Sequence, residues 1–337
     1  INGLAERLAA RCRAGGPLDF SAWVEACLYD PDFGFYVSGG SAGRRGDFIT
    51  SPEVGPLFGA VLARWLDKRW AAMGEPDGFT VVEVGAGPGT LARAVLAAQP
   101  ACLATGRYVT VEVSAAQRAL HPDGVDALAE MPAGPLVGAV VANELLDNLP
   151  FGVLAADGES WRPVQVTVEG DEFFEVLGDP VNPPVALPPV AGQRIPTQAA
   201  AARWVAGAWA SLAPGSSLLV VDYCATTAQM AQKSSWLRTY RNHQYGGSPL
   251  DYLGSQDITT EVAVDQLPGQ PEVGTQLDWL QANGVDDLVA EGRRIWEQRA
   301  GVADLAALKA RSRISEAEAL LAPDGLGAFQ TLTWTTP

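Results

Sequence analysis

Glu83-Val84-Gly85-Ala86-Gly87-Pro88-Gly89-Thr90-Leu91 is the stretch that decides the fold. Residues 79–84 form a short apolar run and residues 91–98 read as a helix, so three glycines stand between a buried strand and a helix start. At such a junction a side chain would hold a ligand away from the backbone. Outward from it, 107–113 is a second strand, 115–120 a helix and 138–142 a third strand. That succession predicts a doubly wound, mostly parallel α/β sheet with right-handed crossovers.

The flanks read differently. Helices at 4–13 and 20–29 precede a Gly- and Pro-dense loop, 30–56, and a strong helix, 57–72. Residues 1–72 are therefore expected to be a helical N-terminal region carrying a covering loop, and 73–337 the α/β domain. Insertions are expected at about 151–196, as an antiparallel unit turning at Asp157-Gly158 and Glu169-Gly170-Asp171, and at 222–275, with few regular elements. A helix at 197–212 and a strand at 217–221 separate them. Helices at 276–283, 286–299 and 302–310 and a strand at 328–334 close the chain.

The glycine spacing discriminates between cofactors. A dinucleotide fingerprint is G-x-G-x-x-G. Here the third glycine comes one residue early and Glu83 precedes the first by two. The E-x-G-x-G-x-G form resembles motif I of class I S-adenosylmethionine-dependent methyltransferases, which implies S-adenosyl-L-methionine as cofactor, with Glu83, Gly85, Gly87 and Gly89 at its site. Glu112, at the end of the second strand, can accept hydrogen bonds from both ribose hydroxyls of a nucleoside. After the third strand, Asn143, Glu144 and Asp147 border the crevice of such a sheet and offer a carbonyl and two carboxylates to a substrate nitrogen. A polar helix start capped by Asn143 would explain that residue but not the acids beside it.

Over residues 18–262, and more loosely to the end, the chain resembles the MidA-like family, whose mitochondrial members are arginine methyltransferases assisting assembly of respiratory complex I. The resemblance rests on Gly46-Asp47-Phe48-Ile49-Thr50-Ser51-Pro52-Glu53, on the glycine loop, and on Asn143-Glu144-Leu145-Leu146-Asp147-Asn148-Leu149-Pro150. It also rests on Val221-Asp222-Tyr223, Leu237-Arg238-Thr239-Tyr240 with His243, and Asp257-Ile258-Thr259. Departures fall in the later half. The family's usual His-Val-Asp-Phe after D-I-T and one small residue is Glu261-Val262-Ala263-Val264 here, and its glycine after Asp-Tyr is Cys224.

The resemblance implies a protein arginine as acceptor. Guanidinium has a pKa above about 12, so the site must grip it as a cation. Glu144 is the leading catalytic candidate, assisted by Asp147 or Asn143; Asn143 also borders the cofactor. The resemblance further implies that residues 46–53 cover the cofactor or form part of the acceptor channel. Thr50, Ser51 and Pro52 are expected at the cofactor, and Asp47, Phe48, Glu53, Asp222, Tyr223 and His243 on the acceptor side. A small-molecule amine or hydroxyl acceptor, and a non-enzymatic cofactor-binding assembly factor, are the alternatives. Trp65, Trp70, Trp204 and Trp209 read as packing residues.

Composition bounds the rest. The 337 residues carry 23 Lys+Arg against 39 Asp+Glu, a net charge of −16, which disfavours a nucleic-acid partner. Four separated cysteines and two histidines predict no metal site and fit a reducing, cytoplasmic location. No apolar run is long enough to span a membrane. The chain opens at Ile1 without Met, so a removed targeting peptide stays open, as does a homo-oligomer.

Overall fold

The computed structural model describes residues 3–37, 50–241, 244–301 and 304–337. Its central sheet has seven strands: β1 Thr80–Val84, β2 Arg107–Val111, β3 Val125–Leu128, β4 Gly138–Asn143, β5 Ser217–Asp222, β6 Glu272–Thr275 and β7 Gln330–Thr335. They lie in the order β3-β2-β1-β4-β5-β7-β6. The strands β1 to β5 pair in parallel, and β7 runs antiparallel to both neighbours. All five residues of β1 and all six of β5 are buried, as parallel strands covered on both faces require. The order reverses between β1 and β4, so a crevice is expected beyond their carboxyl ends.

The first four long helices are α1 Gly3–Gly15, α2 Phe20–Tyr29, α3 Pro56–Ala72 and α4 Thr90–Ala98. Helices α3 and α4 cover one sheet face, with Phe58, Val61, Leu62, Leu91 and Val95 packed on Val81, Tyr108 and Val141. The helix Ala199–Ala210 covers the other through Ala201, Val205 and Ala208. α1 and α2 pack elsewhere: Leu4, Leu8, Phe20 and Trp23 share a core with Phe151, Val164, Met230 and Trp236 from the two insertions. The break in packing thus falls between α2 and α3, because α3 supplies the apolar face that the sheet needs.

The first insertion is antiparallel as expected, its strands Trp161–Glu169 and Glu172–Leu177 turning at Gly170–Asp171. The second holds more order than expected. Leu237–Arg241 pairs antiparallel with Asp257–Thr260, and Cys224–Ala225 pairs with Val262–Ala263. The last helix runs Leu305–Leu320, well past the expected 302–310, because its buried face is made of small residues such as Ala307, Ala310 and Ala317. β3 escapes a reading of the sequence because three of its four residues are exposed, leaving no apolar run to read.

Candidate active site

Strand register sets the site. Val84, Val111 and Ala142 pair across β2, β1 and β4, so the next residues along, Gly85, Glu112 and Asn143, emerge side by side at the carboxyl edge. Beyond that edge lies a cavity of about 470 Å³, bounded by the glycine loop, Glu112, Asn143, Glu144 and Trp204. That volume lies inside the range of about 300–1,000 Å³ typical of small-molecule sites.

The glycine loop is held in one shape. Gly87 has φ +51°, and a Cβ there would point into open space, where it would intrude on whatever fills the cavity. Its N–H donates to Glu112 Oε2 at 2.9 Å, while Ser114 N–H donates to Oε1 at 2.8 Å. The Glu112 carboxylate is thereby fixed by backbone donors, and each oxygen retains a lone pair for a ribose hydroxyl. Below the loop, Glu83 accepts the Tyr108 hydroxyl at 2.7 Å, and burial pushes its carboxyl up to about 7. His121 was not singled out in the sequence as a site residue. Its Nε2 lies 2.8 Å from Gly87 O and its Nδ1 2.8 Å from Thr110 Oγ1. Since a carbonyl only accepts, Nε2 carries the proton and the ring braces the loop from behind.

The N-terminal segment closes the cavity from above. Thr50, Pro52 and Glu53 line it, together with Tyr29 and Tyr36. Glu53, expected on the acceptor side, accepts Thr90 Oγ1 at 2.6 Å and so belongs with the glycine loop. The Ser51 hydroxyl turns away to Gln276 Oε1 at 2.9 Å, leaving its backbone N–H to face Glu144. Trp204, read as a packing residue, reaches the cavity wall as well as the sheet core. Glu130 and Met131 also line the cavity and follow the unread strand β3, so no signal pointed to them. Asp47, Phe48 and His243 lie outside the described residues.

At the cavity's edge stand three buried carboxylates, Asp147, Asp222 and Asp257, and the half-buried Glu144. Glu144 adopts φ +51°, a costly backbone for a residue with a Cβ, and its N–H is tied to Val221 O at 2.8 Å. Its Oε1 accepts Asn143 Nδ2 at 3.0 Å. Burial and the neighbouring Asp147 push the Glu144 carboxyl up to about 8. Asp147 lies in the single turn Leu146–Asn148 and accepts Thr259 Oγ1 at 2.7 Å; burial raises it too. Asp257 accepts Tyr36 Oη at 3.1 Å and Asn148 Nδ2 at 3.0 Å, and burial pushes it up to about 7. Asp222 is the fourth, and here the expectation of substrate contact is corrected. Its carboxylate is used by the backbone N–H groups of Leu146 at 3.0 Å and Tyr223 at 2.8 Å, so it shapes the turn carrying Asp147 rather than meeting a ligand.

Among the described residues, three buried acceptor atoms have no hydrogen-bond partner at this place: Asn143 Oδ1, Glu144 Oε2 and Asp147 Oδ1. Buried polar atoms are normally satisfied, so a donor-rich group belongs here. Tyr223, expected on the acceptor side, lines a second, much smaller cavity with Asp147, Arg238, Tyr240, Thr259 and Thr260. Among the described residues no cluster of His, Cys, Asp and Glu is arranged to hold a metal ion.

The sheet order, with its antiparallel β7, and the glycine-loop crevice define a class I methyltransferase. The chain belongs to the family described as "Putative S-adenosyl-L-methionine-dependent methyltransferase", whose model matches residues 61–281. A crystal structure from Burkholderia thailandensis, bound to S-adenosyl-homocysteine, superposes with a TM-score of 0.83 at 27% identity, covering 98% of this chain and 91% of that one. The Drosophila melanogaster homolog of the mitochondrial protein arginine methyltransferase NDUFAF7 is 28% identical over 303 residues, 77% of this chain and 68% of its own length. The Xenopus laevis protein arginine methyltransferase NDUFAF7 is 24% identical over 306 residues, again 77% and 68%. The cofactor is S-adenosyl-L-methionine. The cavity fits it: Glu112 has free lone pairs for a ribose, and Gly87 leaves the backbone open to approach. The cytoplasmic location expected from the cysteines is overturned, since the fly and frog relatives are mitochondrial proteins. Sparse, unpaired cysteines report only a reducing environment, which does not single out the cytoplasm.

Proposed function

We propose that the chain transfers a methyl group from S-adenosylmethionine to a guanidinium nitrogen of an arginine in another protein. The observation that carries this reading is the chemistry of the three orphaned atoms. Asn143 Oδ1 and Asp147 Oδ1 are acceptors and Glu144 Oε2 becomes one when that carboxyl ionises, so the group completing the site must bring several N–H donors, with positive charge to favour the ionised carboxylates. A guanidinium brings both in a planar fork matched to carboxylates, whereas an ammonium is a point charge without that shape. The names of the fly and frog relatives support the same acceptor.

When bound, S-adenosylmethionine supplies a sulfonium-activated methyl whose sulfur keeps the electron pair of the broken bond. The chain's residues do the rest. Gly85 and Gly87 leave the backbone open to the cofactor, whereas Gly89, expected beside them, lies outside the cavity wall with its Cβ direction towards Pro122 and His121. Glu112 would take the ribose, Tyr108 holds Glu83, and His121 braces the loop. Thr50 and Pro52 shield it from solvent, while the Ser51 backbone N–H faces Glu144. Asn143 stands between cofactor and acceptor. Glu144 and Asp147 grip the guanidinium, concentrate its charge on the gripped nitrogens and leave the third nucleophilic. Positioning of this kind supplies much of the barrier reduction for in-line transfer. As the N–CH₃ bond forms, the guanidinium group gives up one proton, and the ionised carboxylate of Glu144 beside it is the group placed to receive it.

The test is transfer from isotope-labelled S-adenosylmethionine to matched peptides carrying arginine, lysine or citrulline, read by mass spectrometry. Label on arginine alone is expected. Label confined to lysine or to hydroxyls, or bound cofactor with no transfer to any peptide, would overturn the reading.

A further inference from the structure

The cofactor cavity is bounded by Asn143 and Glu144 but not by Asp147, which instead faces the second cavity with Tyr223, Arg238 and Tyr240. The carboxylates therefore form the partition between the two spaces. In-line transfer needs the acceptor on the face opposite the sulfur, which makes the second cavity the approach. It holds only about 10 Å³, roughly the room of one water and too little for a guanidinium. Arg238, in its wall, also lines a groove of about 1040 Å³ together with Lys233, Trp236 and Thr239. Arg238 is the residue that the two walls share, so its side chain separates the spaces.

Arg238 already presents a guanidinium there. Its Cζ lies 5.4 Å from the Tyr223 ring centroid, its Nη2 donates to Glu261 Oε1 at 2.8 Å, and its Nε donates to Ser235 O at 2.8 Å. Glu261 is 7% exposed and is also paired with Lys233 at 2.7 Å. Together with a hydrogen bond to Tyr240, these bonds hold the Arg238 head between Glu261 and Tyr240 while its charge still acts on Asp147.

We propose that the groove is the docking site for the polypeptide segment carrying the target arginine, and that Arg238 is a place-holder at its inner end. Glu261 holds the Arg238 head aside, and the incoming side chain displaces it from the Tyr223 face to reach Asp147 and Glu144. This rests on the reading of the acceptor as a guanidinium. Glu261 stands where the resembled family carries His, so the latch is set by this chain's own residue.

The test is calorimetric binding of a capped Gly-Arg-Gly peptide, with its citrulline counterpart as control, to protein saturated with S-adenosylhomocysteine. Wild type, Glu261→Gln, Arg238→Ala and the double variant are compared. Releasing the latch alone lets Arg238 settle on Asp147, so Glu261→Gln should weaken arginine-peptide binding about tenfold. Removing the place-holder as well should restore it, and Arg238→Ala alone should bind at least as tightly as wild type. S-adenosylhomocysteine affinity within about threefold across the set reports an intact fold. If the arginine peptide binds wild type but the double variant is as weak as Glu261→Gln or weaker, the place-holder is overturned while the acceptor reading stands. If no variant distinguishes arginine from citrulline, both fall.

Discussion

The cofactor side and the acceptor side of this crevice are built on opposite principles. On the cofactor side, Glu112 is satisfied by Gly87 and Ser114 N–H groups, and Gly87 is backed by His121. That half is a cradle whose acids are met by protein donors: burial raises Glu83 as well, but the Tyr108 hydroxyl satisfies it. On the acceptor side, burial raises Glu144, Asp147 and Asp257, and two of the three orphaned atoms belong to carboxyl groups. That half is unsettled until a cation enters. The difference is physical: a nucleoside is recognised by shape and neutral hydrogen bonds, whereas a cation is recognised by charge held out of water at a cost.

If the division is real, variants on the two sides should separate in their readouts. The largest effect is expected from Glu144→Gln, which keeps the acceptor for Asn143 Nδ2 but removes the charge. Methyl transfer should fall about a thousandfold, with S-adenosylhomocysteine affinity changed by less than about threefold. Parallel loss of cofactor binding would merge the two sides into one. Next comes Gly87→Val, which places a branched side chain at φ +51° and into the cavity. S-adenosylhomocysteine affinity, measured by calorimetry, should drop about a hundredfold. Unchanged affinity would remove the loop from the cofactor site.

The same division decides what could be read from the sequence. The cofactor half is local: Glu83, Gly85, Gly87 and Gly89 span seven residues and Glu112 ends the next strand, so spacing alone places them. The acceptor half is assembled from the turn after β4, the end of β5 and the short strands Leu237–Arg241 and Asp257–Thr260. No spacing rule joins these segments, and neither Arg238 nor Glu261 was placed at a site from sequence. Asp222 shows the converse error. A carboxylate at a strand end reads as a ligand group, yet its oxygens serve backbone N–H groups, which only the folded chain reveals. The sheet was legible where its strands are buried and illegible at β3 and β6, which have no buried residue.

A smaller effect should appear in pH dependence. Glu144 must be ionised to hold a cation, and burial pushes it up to about 8 in the free site. Acceptor kcat/KM should therefore rise about tenfold per pH unit approaching pH 8 and level off above it. S-adenosylhomocysteine affinity should stay nearly flat over the same range. A flat acceptor profile between pH 6 and pH 8 would mean that Glu144 is already charged and settled by some other partner.

The smallest effect is on stability, and its sign opposes that on activity. Glu144 carries its proton up to about pH 8 when folded, whereas in the unfolded chain it loses it near 4.5. Below the lower value both states are protonated and the residue contributes nothing to pH dependence. Between the two, the unfolded state ionises while the folded one does not, so cofactor-free stability falls as pH rises. Glutamine cannot ionise, so Glu144→Gln should remove this part of the fall. At pH 8 the variant should be the more stable protein by on the order of 1–3 kcal/mol, converging with wild type near pH 4. Denaturant melts of both proteins at the two pH values provide the measurement. A variant less stable than wild type at pH 8 would show that Glu144 is settled in the free protein, and the contrast between the two sides would be lost.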